Sequence, residues 1–185
     1  MALPQESRGL LEGAGADVLY TGVGKVNAAS SLARHLAETR CAGAALPLVV
    51  NLGSAGSRSV PAHTLIACNR FAQRDMDVSG MGFARGVTPF DETPPVIEFP
   101  QVFAQLPQML CSTADSFATH LHTVAGDVVD MEAFALARVC RSEGARFACA
   151  KYVTDGADTD SATHWEAALE RAARSFAALY RELAA

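Results

Sequence analysis

At 185 residues, half of them hydrophobic, the chain suits one domain around one sizeable core. A formal net charge of −5 without a run of Lys or Arg argues against a nucleic-acid groove. The apolar stretches are too short to span a bilayer, and the opening MALPQESRGLL lacks the basic and apolar regions of a signal peptide, which points to the cytoplasm.

In chain order, Pro4 suits the first position of a short helix over 4–11. Residues 17–21 read as a strand, and the TGVGKV turn from Thr21 opens a helix over 25–39. Apolar runs at 46–52 and 64–69 read as strands. Residues 83–106 are irregular and rich in proline, the mark of a functional or disordered loop. Strands follow at 109–113 and 128–131, then a helix over 131–143 that stops at Gly144. A strand at 147–154 precedes a helix over 163–183, where Thr163 and Glu166 form a capping-box pair. In that helix Trp165, Leu169, Ala172, Phe176, Leu179 and Leu183 recur every three or four residues, so one face packs on the core. Strands that read as continuous apolar runs, alternating with helices, predict an α/β fold with a sheet covered on both faces.

Cys41, Cys68, Cys111, Cys140 and Cys149 are widely spaced, odd in number and without a CxxC pair. They read as reduced thiols, all but Cys41 in apolar surroundings. His120 and His122 form an HxH with no third ligand near in sequence, so they read as a loop or strand end, and no metal is expected.

Four constellations lie where a strand ends. In the TGVGKV turn, glycines let backbone N–H groups face a polar ligand at a helix N-terminus, and Val23 between them is a candidate ligand contact. In NLGSAGS the small residues around Ser54 permit close approach at the carboxyl end of a strand, where open α/β sheets put their sites. In VVDMEA, Asp130 and Glu132 stand where a strand becomes a helix. Either holds a ribose diol there, or the two acids simply cap the helix. In KYVTDGAD, Asp155 sits where an α/β enzyme carries a general acid, or serves as a turn aspartate.

Together these motifs resemble the methylthioadenosine/S-adenosylhomocysteine nucleosidase branch of the purine nucleoside phosphorylase/hydrolase superfamily. The likeness covers most of the chain and is strongest in TGVGKVNAA, NLGSAGS, DVVDMEAFALARVC and KYVTDGAD. It implies a three-layer α/β/α sandwich with a mixed central sheet, here with a truncated N-terminal strand, because the chain begins almost at the end of the family's first strand. The segment between Phe83 and Cys111 is also shorter than usual.

The resemblance implies roles as well. Asp155 matches the aspartate that protonates purine N7, and Glu6 the glutamate that orients the attacking water. Glu132 matches the holder of the ribose hydroxyls, with Met131 lining the sugar pocket. Ser54 lies near the water or phosphate subsite, Phe117 stacks on the base, and Trp165 closes over the site. Met81 and Phe83 reach a neighbour's 5′ pocket, which implies a homodimer.

The reaction implied is hydrolysis of an adenine nucleoside with no cofactor. Asn51 and Leu52 precede Gly53 where a phosphorylase carries an arginine, although Arg58 stands close in sequence. The rivals are a phosphorylase, a futalosine- or nucleotide-type nucleosidase using Arg74, Arg85 or Lys151 on an anionic 5′ group, and a catalytically impaired purine-binding protein. Release of free adenine separates an enzyme from a binder.

Overall fold

The computed structural model describes residues 1–116, 126–155 and 161–184, with the backbone alone for Asp155 and for 161–167. Phe117, His120 and His122 lie outside the described residues.

The chain opens with two short helical turns, α1 (Pro4–Ser7) and α2 (Leu10–Gly13), in place of the single helix expected over 4–11. Arg8 (φ 50°) and Gly9 (φ 73°) both adopt left-handed backbone, which breaks the helix between them. After α3 (Lys25–Cys41) come β1 (Leu48–Gly56) and β2 (Leu65–Gln73). A single 3₁₀ turn (Ser79–Met81), β3 (Val96–Glu98), β4 (Gln108–Thr113) and β5 (Val128–Asp130) follow. The chain ends with α4 (Ala133–Glu143), β6 (Arg146–Asp155) and α5 (Ser161–Ala184). Helix α5 thus starts two residues before Thr163, so Thr163 stands inside the helix rather than at its cap.

The sheet is mixed, in the order β3-β2-β4-β5-β1-β6, and a further β2–β6 pairing curls it back on itself. β1 and β6 run parallel along their whole length, while β2 meets β6 antiparallel. β6 shows why two layers of helix form. Phe147, Cys149 and Val153 pack in one cluster with Leu32 and Leu36 of α3 and Phe134 and Leu136 of α4. Ala148, Ala150 and Tyr152 pack in the other with Leu11 and with Ala172, Phe176 and Leu179 of α5. The period of two sends alternate side chains to opposite faces, and each face is covered by helices. In β2 a register shift between Cys68 and Arg70 lets Phe71, not Arg70, follow Ile66 and Cys68 into the first cluster.

Two expectations change. Residues 17–21 do not form a strand. Among the described residues their backbone is bonded in ladder fashion only at one end, where Met1 N donates to Leu19 O (3.1 Å) and Thr21 N to Met1 O (3.0 Å). A ladder needs a neighbour along its length, and the N-terminal stub, which forms no strand of its own, supplies one only there. Conversely, the irregular stretch contains β3, which adds an antiparallel edge to β2. As expected, Cys68, Cys111, Cys140 and Cys149 are buried free thiols and Cys41 is exposed.

Candidate active site

Ser54 of β1, Lys151 of β6 and the carboxyl end of β5 meet α1 and the 22–24 turn. Glu6, the third residue of α1, is buried at 4% exposure although it carries a carboxylate. Its Oε2 accepts the backbone N–H groups of Ala2 and Leu3 (3.2 Å each). Its Oε1 accepts the Ser54 amide (2.9 Å) and hydroxyl (3.0 Å). Four neutral donors replace the water lost on burial. Gly53 makes this approach possible, since a Cβ there would stand 3.3 Å from both Glu6 Oε1 and Lys151 Nζ.

Asp130 and Glu132, two residues apart, are treated in opposite ways. Asp130 is buried, and its Oδ2 takes the Lys151 ammonium at 2.8 Å and the Ala133 amide at 2.8 Å. Its Oδ1 takes the Thr113 hydroxyl at 2.5 Å, and Thr113 Oγ1 in turn accepts the Phe134 amide at 2.9 Å. Burial works against the Asp130 charge, but the Lys151 cation and these hydrogen bonds outweigh it and hold the carboxyl below its ordinary range. Asp130 is therefore the residue that caps α4, as the helix dipole favours.

Glu132 stands clear of that network. Its Oε1 accepts the Gly24 amide at 2.8 Å. Burial, reinforced by the neighbouring Asp130 charge, pushes its carboxyl up to about 7, against the opposing pull of Lys151 and the Gly24 amide. The Gly24 turn is locked from its far side. The Lys25 amide donates to Asp115 Oδ1 (2.7 Å), and Lys25 Nζ pairs with Asp75 (2.6 Å). Gly24 has φ 92°, a conformation that side chains rarely adopt, and a Cβ there would press on Asp115 Oδ1 at 3.0 Å, so any other residue is strained.

Lys151 was open to reading as a cation for an anionic 5′ group. It is instead 1% exposed and bound to Asp130, so it faces inward. Burial opposes its charge, but the surrounding anions, Asp130 first, keep it charged. A lysine in the apolar run ACAKYV was a signal for this, because a buried ammonium requires an acid partner. Arg74 bonds Ser116, Arg85 pairs with Asp77 at 3.0 Å, and Arg58 is exposed.

The remaining candidates fall around this centre. Ser54 lies on β1 and Met131 beside Glu132, both half-buried, and Val23 is 41% exposed in the turn. Asp155 closes β6, in register with Gly56 of β1, and Trp165 lies in the first turns of α5. Met81, 66% exposed, ends the 3₁₀ turn. Phe83 packs edge-on against Phe90, with ring centroids 5.7 Å apart. The geometry thus joins Glu6 to Ser54 and Glu132 to the 22–24 turn, while Met81 and Phe83 occupy a loop of their own.

The family model of the phosphorylase superfamily matches residues 101–185. The chain is 31% identical to the 5′-methylthioadenosine/S-adenosylhomocysteine nucleosidase of Geobacillus kaustophilus, over 94% of this chain and 80% of that one. Its fold matches the crystal structure of the Helicobacter pylori nucleosidase of that name with butyl-thio-DADMe-Immucillin-A. The TM-score is 0.84 at 19% identity, over 99% of this chain and 94% of the other. The Helicobacter pylori structure described as a futalosine hydrolase matches equally well, with TM-score 0.84, 19% identity and the same coverage of 99% and 94%. The chain belongs to the 5′-methylthioadenosine/S-adenosylhomocysteine nucleosidase family.

Proposed function

We propose that the chain acts as a single nucleosidase domain over residues 1–185, hydrolysing the N-glycosidic bond of an adenine nucleoside such as methylthioadenosine or S-adenosylhomocysteine. The observation that carries this reading is the Glu6 carboxylate, pinned through Oε1 by both donors of Ser54 at a strand end that Glu132 also borders.

In this mechanism Asp155 protonates N7, so that adenine leaves as a neutral base. That task requires a carboxyl held protonated near neutrality, which burial of a carboxyl brings about. Glu132 receives the ribose diol and offers negative charge to the oxocarbenium-like sugar. Glu6, its oxygens already oriented, takes the proton of a water that attacks the anomeric carbon. Val23 and Met131 line the sugar, Phe117 stacks on the base, and Trp165 closes the site. No metal or organic cofactor has a part.

Hydrolysis is favoured over phosphorolysis on electrostatic grounds. A phosphate dianion needs paired cations. The donors beside Glu6 are neutral, Lys151 is committed to Asp130, and Arg58 is exposed.

The protein works in the cytoplasm as a homodimer in which Met81 and Phe83 complete the neighbour's 5′ pocket. Among the described residues no helix is long and apolar enough to cross a membrane. Met81 (66%) and Phe90 (92%), whose ring packs on Phe83, are exposed large apolar side chains suited to burial against a partner. A fully active monomer in sedimentation would remove this assignment.

The deciding experiment incubates the protein with a panel of adenine nucleosides, with and without phosphate, and separates the products. Free adenine and free sugar are expected at a rate indifferent to phosphate. Asp155→Asn is expected to lower turnover on the order of 10²–10⁴-fold while keeping binding of a substrate analogue. Ribose 1-phosphate appearing in proportion to phosphate would identify a phosphorylase. Heat of binding without product would identify a purine-binding protein.

A further inference from the structure

The turn that holds Glu132 is fastened where three elements meet. β2 and β4 run parallel, and their pairing continues past the strands. The Arg74 amide donates to Thr113 O at 2.9 Å, the Asp115 amide to Asp75 Oδ2 at 3.0 Å, and the Arg74 guanidinium to Ser116. Lys25, the first residue of α3, closes this junction from the side. Its Nζ takes Asp75 Oδ1 at 2.6 Å and stands 4.0 Å from Asp115 Oδ2. Its amide donates to Asp115 Oδ1 at 2.7 Å. One lysine thus engages two aspartates, with its main chain and its side chain.

The neighbouring amide, that of Gly24, donates instead to Glu132 Oε1 at 2.8 Å. Two consecutive N–H groups therefore hold two carboxylates, one from the junction and one from the site. Gly24 has no side chain with which to cap α3, and glycine imposes no single backbone conformation of its own. Its φ of 92° and ψ of 159° are fixed by what grips the next residue. That grip is partly sheltered, since the Lys25 side chain is 18% exposed and that of Asp75 32%. Burial works against the Asp75 charge, but Lys25 and the Asp115 amide outweigh it and hold the carboxyl below its ordinary range.

From this geometry we infer that Lys25, clamped by Asp75 and Asp115, is a positioning residue of the site, which aims the Gly24 amide at Glu132 and so fixes the carboxylate that meets the ribose hydroxyls. The inference rests on the reading of Glu132 as the holder of the diol. An amide fixed in place orients the carboxylate before substrate arrives, which spares that cost at binding. It also favours the ionised form, the one that accepts two hydroxyl hydrogen bonds, against burial and the Asp130 charge. The charged groups that bear on Glu132 are Asp130, Lys151, Glu6 and the Met1 amine. Substitution of Lys25 or Asp75 leaves all four in place.

The test titrates the Glu132 carboxyl by carbon-13 NMR of the glutamate-labelled full chain, with Glu132→Gln identifying the resonance. Lys25→Met and Asp75→Ala are each expected to raise the midpoint by about one pH unit, the scale of one hydrogen bond to a charged group. Lys25→Arg, which keeps the cation, is expected to stay near the wild type. Arg40→Ala breaks an exposed ion pair at the other end of α3 and is expected to leave the midpoint unmoved. In turnover, kcat/KM at pH 7 is expected to fall about fivefold with Lys25→Met, following the ionised fraction of Glu132. The titration is read on the free protein, so it decides the role of the clamp whether or not the wild type releases adenine. A midpoint that Lys25→Met leaves in place, even with slower turnover, would make the clamp merely structural and overturn the inference. An equal shift in Arg40→Ala would trace the effect to general loosening of α3 and overturn it too.

Discussion

Two ion pairs of nearly the same length sit in opposite regions of this molecule. Lys151–Asp130 spans 2.8 Å inside the sheet, with side chains 2% and 1% exposed. Arg40–Glu143 spans 2.7 Å on the surface where α3 meets α4, with side chains 56% and 30% exposed. Distance alone makes them equivalent. Solvent makes them different, because water screens the outer pair and already solvated its members before folding. The inner pair was stripped of water, and its members depend on each other. Lys151–Asp130 is therefore less a source of stability than a commitment. It keeps Asp130 charged at the root of α4 and leaves Glu132, two residues on, as the carboxyl free to bind and release a proton near neutrality.

The sharpest way to break this contrast is Lys151→Met. It leaves the Asp130 carboxylate buried without its cation, and the expected loss is about 3–5 kcal/mol of unfolding free energy in urea. Adding Asp130→Asn should recover part of that loss, because a neutral amide is cheaper to bury than a lone charge. A single substitution costing under about 1 kcal/mol would show that Asp130 does not depend on Lys151.

A smaller effect lies in the pH dependence of Glu132. Its carboxyl is raised from 4.5 to about 7, so the native state holds this proton more tightly than the unfolded chain does. The resulting stabilisation is complete below the unfolded value and is lost as pH rises through the folded one. The loss attributable to this group is at most about 3 kcal/mol, and less where solvent reaches it. Between pH 5 and 8 the urea midpoint of the wild type should fall relative to that of Glu132→Gln. Parallel curves for the two proteins would remove the upward shift and, with it, the contrast between Glu132 and Asp130.

The smallest expected effect is at the surface. Arg40→Ala should cost no more than about 1 kcal/mol, and the difference should shrink further in high salt. A loss approaching that of Lys151→Met would mean that the α3–α4 seam depends on this bond, and the comparison would fail from the other side.

Much of the site was legible before any coordinates. TGVGKV, NLGSAGS and VVDMEA do meet around Glu6 and Glu132, because glycine turns and strand-to-helix junctions leave local signatures. What spacing left open was the division of labour between Asp130 and Glu132, and the direction of Lys151. Both depend on contacts across long stretches of sequence: Thr113 and Lys151 on Asp130, Gly24 on Glu132. The strand expected at 17–21 failed for a related reason. Its residues are partly buried, but strand formation is a property of pairs, and among the described residues Met1 alone makes backbone bonds of a ladder to that segment. β3 was missed in a proline-rich stretch because its three residues owe their conformation to β2.

By itself the sequence determined the order of helices and strands, the turns that only glycine can make and the supply of carboxylates at strand ends. These follow from local sterics and from periodicities that alternating or helical spacing writes directly into the chain. The tertiary structure alone decided which carboxylate is charged, which carboxyl is pushed toward neutrality and which cation is sealed inside. Each of those depends on how much water is removed around a group and on what replaces it, and the replacements are brought from distant residues by folding.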